Sequence, residues 1–204
     1  MDAPQPWRRP DEWPLPIETK RLVLRFASHE DVPALFEAID TNRDGLLPWM
    51  EWAERENLTI GQTHYTIERF IREAEKELPG DLPILICDRV RGEPIGGTGL
   101  HGFRTNTHQA EIGYWVLPDR RGSGACTEAV VALTETGFRS QAAGGMGLRR
   151  LEIVCSADNP ASARVAENAG YEREARHRAH RWVNGFGWSD TLIYAALADT
   201  WTKP

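Results

Sequence analysis

The sequence predicts an α+β domain of α/β/α layering, a mixed and mostly antiparallel central sheet of about seven strands with helices on both faces. Three observations predict it. Short apolar or alternating runs recur along the chain between turn-forming Gly, Pro and Asn residues, as strands do. Three such runs in the middle are joined by connections too short for a crossover, so they form an antiparallel meander. Segments with an apolar residue every three to four positions are interleaved with them, giving the order β-α-α-β-β-β-α-β-α-β-β.

Each element follows from its residues. Residues 1–18 carry five prolines and little periodicity, and read as a surface arm lying across a domain of residues 19–204. Arg21 to Phe26 alternates as a strand with one buried face. Ser28-His29-Glu30-Asp31 is a capping cluster for a helix whose apolar face holds Val32, Leu35, Phe36 and Ile39. Thr41 to Trp52 reads as a loop, its Trp49 and Trp52 forming a lid or pocket wall or simply packing. A long helix over residues 59–78 places Ile60, Ile67, Phe70, Ile71, Ala74 and Leu78 on one stripe and stops at Pro79-Gly80.

The meander follows, with strands over Leu82–Val90, Ile95–His101 and His108–Leu117. Helical periodicity resumes from Gly124 to Arg139, and the glycines of residues 141–147 make a flexible connector. Arg150–Ser156 is an apolar strand and Pro160–Ala169 a helix stopped by Gly170. Glu172–Val183 and Trp188–Ala198 flank Asn184-Gly185-Phe186-Gly187, a hairpin turn.

Composition narrows the function. With 204 residues, 41% of them hydrophobic and 26% charged, the chain can bury a real core. Its net charge of −6 argues against gripping nucleic acid directly. That charge suits either a basic acceptor drawn to a negative cleft or plain solubility. No run approaches the ~18 apolar residues of a membrane span, and the N-terminus lacks the apolar core of a secretion signal. Cys87, Cys126 and Cys155 have no metal-ligand spacing, so no metal is expected and free thiols in a reducing cytoplasm are the simplest account.

The most informative segment runs from Leu117 to Ala129. A strand ends, Gly122 and Gly124 form a turn, and a helix begins at once. Such a turn aims several backbone N–H groups, and the positive end of a helix dipole, at one point. Glycine lets a bulky anion approach because it has no Cβ, and Arg120 and Arg121 add charge at the rim. The same pair of glycines serves equally well as plain turn geometry. A P-loop is excluded by the absence of Gly-Lys-Ser/Thr, and a dinucleotide fingerprint by the missing third glycine.

Arg121-Gly122-Ser123-Gly124-Ala125-Cys126-Thr127-Glu128-Ala129 resembles the pyrophosphate-binding motif of GNAT superfamily N-acetyltransferases, Gln/Arg-x-x-Gly-x-Gly/Ala. Asp119 occupies the first position of that pattern, a departure that affects the side-chain part of the cradle and not the backbone part. Leu46-Leu47-Pro48-Trp49, Glu111-Ile112-Gly113-Tyr114-Trp115, and Asn159-Pro160-Ala161-Ser162 ahead of Asn168-Ala169-Gly170-Tyr171 resemble the Rim-type branch, which includes ribosomal-protein N-terminal acetyltransferases. The resemblance runs from about Thr19 to Trp201. It implies a GNAT-type sheet, acetyl-CoA as co-substrate, and a primary amine as acceptor, either a protein N-terminus or a small molecule. A homodimer is compatible with it.

For the site, the resemblance implies that Val116 and Leu117 offer backbone to the pantetheine arm and that Arg121, Gly122, Ser123, Gly124, Ala125 and Cys126 hold the pyrophosphate. Glu111 shares a strand face with Gly113 and Trp115. A carboxylate on an apolar central strand is costly without a purpose or partner. It reads as the general base, or as a structural carboxylate satisfied by an arginine such as Arg104. Asn159 is an N-cap by its place before Pro160, and by resemblance also a pantetheine ligand. Many GNAT enzymes carry a thiolate-protonating tyrosine where Ala166 stands here. By resemblance to the Rim-type branch Ser162 is the substitute, as thiolate acid or hydrogen-bond donor, the alternative being a merely helical serine. Trp49, Trp52, His101 and Asp190 are the candidate acceptor contacts, Asp190 being equally a turn-closing aspartate. An acetyl-cysteine route through Cys126 or Cys155 lacks a histidine partner nearby in sequence. The other classes left open are a CoA-binding domain without turnover and a mononucleotide-binding protein.

Overall fold

A computed structural model describes residues 5–204; residues 1–4 of the proline-rich arm lie outside the described residues. The core is one eight-stranded sheet. Its strands are β1 (Ile17–Glu18), β2 (Leu22–Arg25), β3 (Asp81–Asp88), β4 (Pro94–Arg104), β5 (Gln109–Val116), β6 (Arg150–Ser156), β7 (Glu172–Val183) and β8 (Gly187–Leu197). They lie in the order β1-β2-β3-β4-β5-β6-β8-β7. Neighbours run antiparallel except β5 and β6, which are parallel. The strand beyond the expected seven is β1. At two residues, just after Pro14 and Pro16, it is too short for alternation to register.

The pleat sends alternate residues to opposite faces. Leu22, Leu24, Leu82, Ile84, Ile86 and Ile112 pack beneath Ala129, Val130 and Leu133 of α4 (Ala125–Phe138). On that side α5 (Pro160–Asn168) adds Ala166 to the same core. Leu85 and Cys87 face the other way, against Val32, Leu35 and Ile39 of α1 (Val32–Asp40) and Ile67 of α3 (Ile60–Glu75). Each large side chain so buried contributes about 1.5–3 kcal/mol relative to exposure.

Local chemistry sets the helix ends. Asp31 accepts from the Ser28 amide (2.8 Å) and from both guanidinium nitrogens of Arg25 (2.7 and 2.8 Å), pinning the start of α1 to β2. Thr59 caps α3 by accepting from the Gln62 amide at 3.2 Å. That helix is shorter than its apolar stripe suggests. Lys76 is already extended, with ψ 145°, and Ile60 and Leu78 are left 53% and 56% exposed.

The segment Thr41–Trp52 is more ordered than a loop. It holds the short α2 (Arg43–Leu46) and leads into a 3-10 turn at Glu51–Glu54. Arg43 ties it together, donating to the carbonyls of Ala53, Glu56 and Asn57. The described part of the arm is equally integrated. Trp7 is 3% exposed, donates its indole N–H to Met146 O at 2.7 Å and stacks on Phe103. Trp13 donates to Ala74 O at 2.8 Å.

Candidate active site

The sheet opens where its parallel pair diverges. β5 and β6 are in register at three positions, Gln109–Arg150, Ala110–Leu151 and Glu111–Glu152, and no pairing continues beyond Glu111. Leu117 donates to Ile95 O at 2.9 Å, which sets the phase of the β4–β5 ladder. By antiparallel alternation the backbone groups of Tyr114 and Val116 then turn toward the gap, while the Leu117 amide turns away from it.

At the end of β5 the chain turns through Gly122 (φ +70°) and Gly124 (φ +82°) into α4. A side chain is disfavoured at such angles. The space above them is open: a Cβ on Gly122 would meet nothing within 4 Å, and one on Gly124 only the Arg21 guanidinium at 3.4 Å. Among the described residues no backbone acceptor is found for the N–H groups of Gly122, Gly124, Cys126 or Thr127. These are the unpaired donors of a helix start, and they fit a diphosphate. Arg21 stands at the rim, donating to Ser123 O (2.8 Å) and paired with Glu128 (2.6 Å). Arg121 is exposed and reaches back toward Gly45 O. Ser123 turns its hydroxyl onto Arg120 O at 2.6 Å.

A cavity of about 530 Å³ spans the opening, and it gathers Trp49, Trp52, His101, Glu111, Asn159 and Ser162. Glu111 belongs to a row of side chains in register across four strands, Asp81–His101–Glu111–Glu152. Burial pushes its carboxyl up, opposed by His101 and reinforced by Glu152. No hydrogen bond from another described residue reaches it, and Arg104 pairs instead with Glu152 at 3.6 Å. His101 Nδ1 meets Asp81 Oδ1 at 3.0 Å, which leaves Nε2 over the bare Cα of Gly113. Around the cavity Glu51, Glu56, Glu73, Asp81 and Glu111 outnumber Arg69 and Arg181, so the wall is negative.

Ser162 enters from the opposite side of the sheet. Asn159 caps α5 through the Ser162 amide (3.1 Å), with Pro160 in the first turn. This fixes Ser162 where its Oγ lies 3.0 Å from Tyr114 Oη, and Tyr114 also donates to Ser162 O at 2.9 Å. Burial raises the Tyr114 phenol far above its usual value, so it stays protonated. The thiols are held protonated as well. Burial pushes Cys126 up to about 12 and raises Cys155, which makes both poor nucleophiles.

Asp190 stands apart from this cavity. It accepts from Arg176 Nε (2.6 Å) and from the Ala179 amide (2.8 Å), closing a bulge in β7 where Ala179 has φ +46°. Its carboxylate is thereby spent on the hairpin. Sequence reasoning passed over Tyr114, Arg21 and Asp81. Tyr114 had a legible signal, its place in the Glu111-to-Trp115 motif, but its meeting with Ser162 across 48 residues did not. Nothing in the sequence marks Arg21 as a neighbour of the glycine turn.

Residues 21–172 match the acetyltransferase (GNAT) domain family. The "Uncharacterized N-acetyltransferase YoaA" of Bacillus subtilis strain 168 is 27% identical over 181 residues, covering 89% of this chain and 96% of that one. The "Ribosomal-protein-serine acetyltransferase" of Escherichia coli K12 is 27% identical over 194 residues, covering 89% and 96%. Among solved structures, RimL, a ribosomal L7/L12 alpha-N-protein acetyltransferase in complex with coenzyme A, superposes with a TM-score of 0.78 at 24% identity, covering 89% of this chain and 97% of its own. The bared amides, the split sheet and the family match converge: the chain belongs to the GNAT acetyltransferase family and is an acetyl-CoA-dependent N-acyltransferase.

Proposed function

We propose that the protein acetylates the N-terminal amine of a polypeptide by direct attack in a ternary complex. One observation carries the reading: Glu111 from one face of the sheet and the Tyr114–Ser162 pair from the other line a single cavity at the β5–β6 gap. The donor enters beside α4. Its diphosphate rests on the amides of Gly122, Gly124, Cys126 and Thr127, and its pantetheine arm runs along the backbone of Tyr114 and Val116 and past Asn159, as an added strand does. The thioester then reaches the gap with its sulfur toward Ser162.

The acceptor enters beside α1 and α3, drawn by the negative wall. Glu111, alone and desolvated, takes a proton from the incoming ammonium directly or through a water, and the free amine attacks the thioester carbonyl. His101, oriented by Asp81, holds the amine from the neighbouring strand. The Ser162 hydroxyl, positioned by Tyr114, donates to the departing thiolate and recovers its proton from solvent. With Cys126 and Cys155 protonated, no acetyl-enzyme step is needed.

A polypeptide is favoured by what surrounds the mouth. Phe186, Trp188 and Trp182 are 56%, 69% and 62% exposed on the β7–β8 hairpin, and Trp49 packs on Phe186 at 5.3 Å. Apolar surface standing outside the cavity suits an acceptor longer than the cavity itself. Thiol release from acetyl-CoA with a panel of free-N-terminus peptides and small amines tests this. Peptides are expected to turn over fastest, and their N-acetylated forms not at all. Faster turnover of a small amine would transfer the assignment to that class, and no release with any peptide would overturn the polypeptide reading.

A further inference from the structure

Outside the cleft, the 3-10 turn His29–Asp31 lies against α3 and brings together His29, His64 and Glu68. One ligating atom from each lies within 4.8 Å of the other two. His64 and Glu68 are four residues apart and so share a helix face. His29 comes from the other element, its ring stacked on His64 with centroids 5.2 Å apart. Neither imidazole has a hydrogen-bond partner among the described residues, a state they share with His177, whereas His101 and His180 each have one and His108 has two. Glu68 gives one oxygen to Arg72 at 3.0 Å and keeps lone pairs on the other. None of the three residues lines the cavity.

We infer that His29, His64 and Glu68 bind a divalent transition-metal ion, with Zn²⁺ best suited to two imidazoles and a carboxylate. Tetrahedral coordination at about 2.0–2.1 Å draws the three ligand atoms closer than they stand in the free protein, and exposed side chains can make that move. Water completes the open position. Both histidines are at the surface, so the ion enters without unfolding. Binding joins the start of α1 to α3, and these two helices supply Leu35, Ile39, Thr66 and Phe70 to the acceptor side of the cavity. The ion therefore clamps that wall from outside and takes no part in the transfer chemistry. The buried, protonated thiols are weak competitors for it.

Calorimetric titration of the full chain with ZnCl₂ is expected to show one ion per chain and a melting temperature that rises with Zn²⁺. His29→Ala and His64→Ala should each weaken binding by about tenfold or more and remove the thermal shift. Replacing His177 and His180, the other adjacent pair (5.1 Å), with Ala should leave both unchanged. Equal affinity in wild type and the His29→Ala/His64→Ala variant would overturn the inference. So would an affinity that follows His177 and His180.

Discussion

Glu111 is the residue on which the proposed chemistry turns, and the cost of burying it is measurable in the resting protein. Burial raises its pKa, so the ionised form is disfavoured in the fold, and stability should rise as pH falls through that raised value and level off below the unfolded one. Glu111→Gln is expected to raise Tm by roughly 2 °C and to lower kcat by about 10²-fold or more near neutrality, with little change in acetyl-CoA affinity. A smaller loss at high pH, where the acceptor amine is already free, distinguishes a missing base from a misplaced loop in a kcat–pH profile. An unchanged profile would remove Glu111 from the base role.

Asp31 carries the opposite sign. Burial would raise it, but the bonds from Arg25 and Ser28 outweigh that and hold it below its usual value. Its contribution is present above the unfolded pKa and lost as pH falls through the folded one. Asp31→Asn should cost about 2 kcal/mol by urea titration at pH 7 and much less at pH 3. Both carboxylates were visible in the sequence, one as an apolar-strand anomaly and the other as a capping residue. Their surroundings were not, because the turn that brings Arg25 onto Asp31, and the strand register that sets His101 beside Glu111, are not encoded by periodicity.

At the scale of elements, boundaries set by backbone rules were legible. β6, β7 and the start of α5 fall where alternation, Pro160 and the glycine-rich hairpin turn placed them. What stayed hidden depends on tertiary contacts. α2 exists because Arg43 finds three carbonyls, and β1 because β2 lies beside it. Asp190 was ambiguous for the same reason, since only the folded hairpin reveals the amide of Ala179 as its partner. Asp190→Ala is expected to cost about 1–2 kcal/mol by loosening the bulge, with the KM for acetyl-CoA unchanged in a steady-state assay. For the glycine turn, Gly124→Trp should abolish acetyl-CoA binding in a calorimetric titration. Gly124→Ala should cost about 1 kcal/mol of stability from its φ of +82° alone. Undiminished affinity in the Trp variant would place the donor elsewhere.

Across the whole molecule, the proline-rich arm looked peripheral because its composition resembles that of surface segments. Composition is silent about the one residue that matters there. Trp7 inserts into the main core from more than a hundred residues away in sequence and satisfies Met146. Trp7→Ala is expected to destabilise by about 3–5 kcal/mol in chemical denaturation, as a large core truncation does. A change below about 1 kcal/mol would show that the arm docks without supporting the fold.

The short β5–β6 pairing has one more consequence. Two plates, β1–β5 and β6–β8, are stitched by three residue pairs, so the molecule carries a built-in seam. A donor that lends its own amides to the open rungs acts as the missing stitches. Thermal resistance should therefore climb with the logarithm of acetyl-CoA concentration, and deuterium uptake at Tyr114 and Val116 should slow as the seam is sewn shut.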